Sequence, residues 1–214
     1  MTETHATRQG TTWYGAYLGH LRYIGGLVGK RDDTLDLGAL AELRASARGG
    51  AFVIRALRHI VPYLREDEPY HDHKTRVGLI VGQLFAAHRP EHSGPVTDAE
   101  RIDGRRSVGR LLGTADGVQG IAGQSDESHS APTALERHLQ TVVASDFQQL
   151  GTRLRGTFAR LKAAGVTPVA DDYAALLEDL TYWNGTEKRV QYRWVRDFYT
   201  TRYVTRSGGR DENA

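Results

Sequence analysis

The chain has 214 residues, of which 39% are hydrophobic and 25% charged, with a mean hydropathy of -0.49. That is the composition of a soluble globular protein, long enough for one domain or two small ones. The absence of cysteine excludes disulfides, thiol nucleophiles and thiolate metal sites, and fits a reducing compartment such as the cytoplasm. Lysines and arginines number 28 against 26 acidic residues, a net charge of +2. An excess this small makes the distribution of charge more informative than its sum. No apolar run approaches the ~18 residues that cross a bilayer, so no membrane partner is expected. The opening MTETHATRQG lacks the apolar stretch of a signal peptide.

Helical periodicity dominates in chain order. Trp13, Tyr17, Leu21 and Ile24 recur at three- and four-residue steps, predicting a first helix that Gly25 and Gly26 end. A second is predicted from Asp36 to Arg48, with Leu37, Leu40, Ala41 and Leu43 inward. A third runs from Ala51 to Tyr63 and buries Val53, Leu57, Ile60, Val61 and Leu64. After the turn-like EDEPYHDH, Val77, Ile80, Val81, Leu84 and Phe85 mark a fourth, ending near Arg89 and Pro90. No segment alternates with period two, so no strand is predicted.

Between Glu91 and Pro132 the chain turns rich in Gly, Ser and Asp, with SVGRLL as a short helical piece inside it. Helices resume from Thr133 to Ser145 and along Phe147, Leu150, Leu154, Phe158 and Leu161 to Gly165. VTPVADD then caps a helix through Tyr173, Leu176, Leu177 and Leu180, and a last one spans Glu187 to Tyr203. The expected class is all-α: an N-terminal bundle over 1–112, a flexible loop over 113–132, and a C-terminal bundle over 133–214 with a short disordered tail.

No catalytic constellation is recognisable. GGLVGKR at 25–31 resembles a phosphate loop, but its spacing is wrong, Arg31 stands where Ser or Thr belongs, and a helix precedes it. His71 with His73, and His88 with His92, lack a helical HExxH pattern and a third ligand, so solvated histidines are the simpler reading. Carboxylates in EDEP (66–69) and at Asp171 and Asp172 suit helix ends. Neither a metal nor another cofactor is expected.

The basic residues are patterned. At 100° per residue, Arg189, Arg193 and Arg196 share one face of the last helix, while Val190, Trp194 and Phe198 share the opposite one. The expected consequence is that Trp194→Ala costs stability, ~3–5 kcal/mol for a fully buried ring, and Arg193→Ala costs binding or almost nothing. Arg55 and Arg58 lie away from a core face, Arg105, Arg106 and Arg110 cluster, and Arg153 and Arg160 repeat two turns apart. Any one of these is simplest as a solubilising ion-pair partner. Together they suit contact with a phosphate backbone, read by charge and not by sequence.

SVGRLL (107–112), LERHLQTVVASD (135–146), RLRGTFARLKAAGVTPVADDYAALLEDLTYWN (153–184) and RVQYRWVRDFY (189–199) resemble the CasB family, as do ELRASA, AFVIRALRHIVP and KTRVGLIVGQLFAAH in the first half. That family is the small subunit of the type I-E CRISPR surveillance complex, Cascade. The resemblance implies a non-enzymatic helical subunit, paired with a second copy and contacting the backbone and large subunits. It would stabilise the guide RNA–target DNA duplex and lead the displaced DNA strand. Matching basic positions imply nucleic-acid contacts at Arg44, Arg55, Lys74, Arg110, Arg137 and Arg160. Ala45 departs from the second arginine of the family's Leu-Arg-Arg stretch, and Asp172-Tyr173 stands for its Asp-Trp pair. The alternative function is a helical protein–protein adaptor whose arginines face acidic partners.

Overall fold

The structure, a computed structural model, describes residues 12–28, 35–64, 70–88, 105–122 and 132–211. The expectations for Glu66–Pro69, for Lys30 and Arg31, for His92 and for 123–131 and 212–214 lie outside them. Among the described residues every regular element is helical: α1 Trp13–Ile24, α2 Leu37–Ala45, α3 Ala51–Leu57, α4 His71–Ala87, α5 Val108–Ala122, α6 Ala134–Val143, α7 Phe147–Ala163, α8 Ala170–Thr181 and α9 Arg189–Asp211. Short 3-10 turns follow α2 at Ser46–Arg48 and α3 at Val61–Tyr63.

Local chemistry sets the ends. Asp36 caps α2 by accepting from the Ala39 amide at 2.9 Å, and the Thr133 hydroxyl does the same for α6 from Glu136 at 3.1 Å. At α8 the Asp172 carboxylate reaches back to the Val169 amide at 2.8 Å. α7 stops at Gly165, which takes φ 73, while Val166 N–H donates to the Leu161 carbonyl. A left-handed residue here closes the last turn, and glycine takes that conformation without strain.

Two expectations are corrected by backbone chemistry. The third helix is shorter than 51–63, because Pro62 brings no N–H and the chain tightens into a 3-10 turn. Ala56, Ile60 and Leu64 take the inward positions, and Val61 is left 43% exposed. The fourth helix begins earlier, at His71, so His71 and His73 lie on a helix and not in a turn.

A third correction concerns the loop expected over 113–132, which is helical through Ala122. Gly109, Gly113 and Gly117 are spaced by four, and so line one face of α5. That face lies against α9. A Cβ on Gly109 would fall on the Trp194 carbonyl, and one on Gly113 would come 2.5 Å from the Phe198 carbonyl oxygen. On Gly117 it would meet Thr205 Cβ at 2.5 Å. These glycines serve close helix approach, not turns.

The buried side chains form one continuous core. α1 to α4 pack together, and α8 lies against α1 and α4. α5, α6, α7 and α9 pack around the other end, where Trp183 and Trp194 meet with ring centres 5.0 Å apart. Val190, Trp194 and Phe198 are all buried, as their shared helix face predicts. No helix among the described residues is long and apolar enough to cross a membrane.

Candidate nucleic-acid interface

Many of the basic side chains are committed to carboxylates or carbonyls inside the chain. Arg106 on the approach to α5 binds Asp172, nearly fully buried at the start of α8, with Nη2 2.7 Å from Oδ2 and its own amide 2.9 Å from Oδ1. Arg44 donates through Nε and Nη2 to the Ala86 carbonyl at 3.2 and 2.6 Å, neutralising the C-terminal end of α4. Arg58 pairs with Glu42 at 2.9 Å, a carboxylate that also holds His59 at 3.0 Å. Arg105 stands 3.8 Å from Glu178, and Arg196 3.2 Å from Asp197, both well exposed.

Arg193 is exposed, as its helix face predicts, but it is not a free cation. Its guanidinium folds back onto Asp179, whose side chain is only 3% exposed. Arg202, which sequence reasoning passed over, ties α9 to two other helices through Asp116 at 2.9 Å and Glu136 at 2.8 Å. The Tyr199 hydroxyl donates to Glu136 as well, at 2.6 Å. These two donors outweigh burial, which acts the other way, and hold the Glu136 carboxyl below the usual carboxylate range. A signal was present: Arg202 and Tyr199 sit three apart on one helix edge.

The remaining cations are differently placed. Arg137 on α6 and Arg153 and Arg160 on α7 are exposed, and none has an ion pair among the described residues. His138 lies between these helices, with Nε2 2.9 Å from the Thr157 hydroxyl oxygen. That hydroxyl donates to the Arg153 carbonyl at 3.1 Å, so the imidazole supplies the N–H of this bond. Burial pushes the His138 pKa down, and the Arg160 and Arg153 guanidiniums push it further.

Arg55 stands apart on α3, exposed and without an ion pair among the described residues. Lys74 on α4 is half-buried and Arg110 on α5 exposed. The structure therefore places Arg153 and Arg160 beside His138 on α6, a helix that also carries Arg137, and leaves the other predicted positions on other elements.

Among the described residues, His73 has a structural role. His73 is not solvated as expected: its Nε2 lies 3.0 Å from the Leu180 carbonyl and 3.1 Å from that of Thr181, and its ring packs on Phe147. It satisfies the last carbonyls of α8. Among the described residues no group of three or more His, Asp or Glu could hold a metal ion.

The profile of the family described as CRISPR-associated protein Cse2 matches residues 39–199. The chain belongs to the Cse2 family. The resemblance to CasB drawn from SVGRLL and the later helices is thereby confirmed. The chain is 27% identical over 147 residues to the CRISPR-associated protein Cse2 of Thermus thermophilus, covering 68% of each. Its fold is similar to the crystal structure of a Cse2-family protein from the same organism, with a TM-score of 0.59, 23% identity and coverage of 89% and 99%. It is also similar to CasB of M. ruber, with a TM-score of 0.57, 21% identity and coverage of 90% and 95%. At these identities the structural likeness establishes the Cse2 fold.

Proposed function

We propose that this Cse2-family chain is the non-catalytic small subunit of a type I-E Cascade complex in the cytoplasm. It contacts nucleic-acid backbone through exposed arginines and so stabilises the guide RNA–target DNA R-loop and the displaced strand. The observation that carries this reading is the set Arg137, Arg153 and Arg160 on adjoining helices, without ion pairs among the described residues. Such cations release counterions when they meet phosphates, and this term is independent of sequence. R-loop formation is a near-balanced strand exchange, so a modest gain on the open side shifts it. Arg55, Lys74 and Arg110 would add contacts from other helices, alongside a second copy of the subunit and the backbone and large subunits.

Binding of short single- and double-stranded DNA, followed at low and moderate salt, tests this reading. A nucleic-acid subunit loses affinity steeply as salt rises, whereas an adaptor that meets only protein shows no salt-dependent DNA affinity. In the assembled complex, replacing Arg55, Lys74, Arg110, Arg137 and Arg160 together is expected to weaken retention of target DNA. Retention equal to the parent's would refute the mechanism.

A further inference from the structure

Where the turn between α6 and α7 meets the start of α9, the surface opens into a cavity of about 340 Å³. Val143, Phe147 and Trp183 line it, and Tyr192 and Val195 face it from α9. Its lining is mixed: Ser145, Asp146, Asn184 and Lys188 stand beside the apolar groups. Gln191 lines the cavity but is only 6% exposed. The Gln191 amide nitrogen donates to the Trp183 carbonyl at 2.9 Å. That bond fixes which end of the amide is the oxygen, because only the nitrogen can donate to a carbonyl. Oε1 is left buried and without a partner among the described residues.

At the rim Lys188 is exposed and takes φ 52, a left-handed conformation in which a side chain is strained. One turn further on, Tyr192 is 71% exposed. Arg196 follows at four residues, Tyr199 at seven and Tyr203 at eleven, so at 100° per residue all four share one stripe of α9.

These groups define a ligand by complement. It must present a flat apolar face to Tyr192 and an anion to Lys188. Volume is sufficient for a heteroaromatic ring, since the cavity equals the liquid share of about eleven waters. A nucleotide combines both properties. We propose that this cavity receives one unpaired nucleobase of a single strand, stacked on Tyr192, with the flanking phosphates along Lys188 and Arg196. The proposal rests on the nucleic-acid reading above and adds a base-dependent contact to a backbone-dependent one. Duplex DNA, whose bases are paired and stacked, would not fill the cavity.

The test compares two fluorescent oligonucleotides of equal length and charge, one a mixed-sequence single strand and the other carrying abasic sites throughout. Anisotropy titration with the full chain at fixed low salt is expected to show about tenfold tighter binding of the base-bearing strand, as aromatic stacking of one base provides. Tyr192→Ala should abolish that difference without changing affinity for the abasic strand, and Tyr192→Phe should keep it. Equal binding of both strands by the parent would overturn the cavity proposal and leave the phosphate reading intact. Retention of the base preference in Tyr192→Ala would overturn it too. Failure to bind either strand would overturn both readings.

Discussion

Arg193 and Asp179 form the contact that fixes the start of α9 to α8, and Trp194 shares it: the Asp179 carboxylate accepts from Arg193 Nη2 and from the indole N–H. Two consecutive residues of α9 thus converge on one buried anion. Removing the guanidinium leaves that anion with a single neutral donor. Hydrogen bonds to charged groups contribute ~1.5–3 kcal/mol. Arg193 is itself 43% exposed, which places its share at the low end. Arg193→Ala is expected to lower the free energy of unfolding by about 1.5 kcal/mol in urea melts while leaving DNA affinity within about twofold. A variant with parental stability and weakened DNA binding would reverse the assignment.

The glycine ridge of α5 makes an opposite-sign pair of predictions. At Gly113 the new methyl would stand 2.5 Å from a backbone oxygen of α9, which no side-chain rotation can relieve. Overpacking of this sort costs ~1–3 kcal/mol, more than the ~1 kcal/mol that alanine gains over glycine in a helix. Gly113→Ala should therefore lower the melting temperature. Gly19 of α1 has nothing within 4 Å of its Cβ position, so Gly19→Ala should raise it. Equal shifts at both sites would show that α5 and α9 are not in close contact.

How far the sequence reveals this molecule depends on which force decides each element. Apolar periodicity marks most of the helices, and the Val190–Trp194–Phe198 face is buried as its spacing predicts. Propensity misleads over 113–122. Glycines that disfavour an isolated helix are there offset by contact with α9, a partner distant in the chain. Their spacing of four was the legible sign. The candidate interface was half legible for a related reason. A helical wheel shows that Arg193 leaves the core face, but not that a buried carboxylate on α8 waits beside it. Arg153 and Arg160 were readable as a pair, while the packing of their helix on α6, which carries His138 and Arg137, was not.

Three histidines should make stability fall in mild acid. Burial lowers the pKa of His20, with His59 adding to it against an opposing Asp36; burial and Lys162 lower that of His88; burial, Arg160 and Arg153 lower that of His138. In each case the unfolded chain binds the proton more readily, so stability rises with pH between the folded and unfolded values. It is fully present above the ordinary histidine value of about 6.5 and is lost as pH falls below it. Glu136, held low, contributes in a separate window: its share is present above 4.5 and lost only as pH drops through its lowered folded value. Thermal melts from about pH 7.5 to about 5.5, a range that brackets the ordinary histidine value, should show a steady decline. A flat profile would mean that these imidazoles titrate as they do in the unfolded chain.

The arginines of α6 and α7 can be tested through the imidazole between them. Replacing Arg153 and Arg160 with glutamine removes two of the causes that depress His138 and leaves its burial in place. Its pKa, followed by NMR titration, should rise toward, but not reach, the ordinary value. The same two changes combined with Arg137→Gln remove three potential phosphate contacts. For single strands the salt slope of log affinity scales as about 0.7 per contact, so it should flatten by about 2. A shifted His138 with an unchanged salt slope would separate the local potential from binding, and would place the phosphate contacts on other helices.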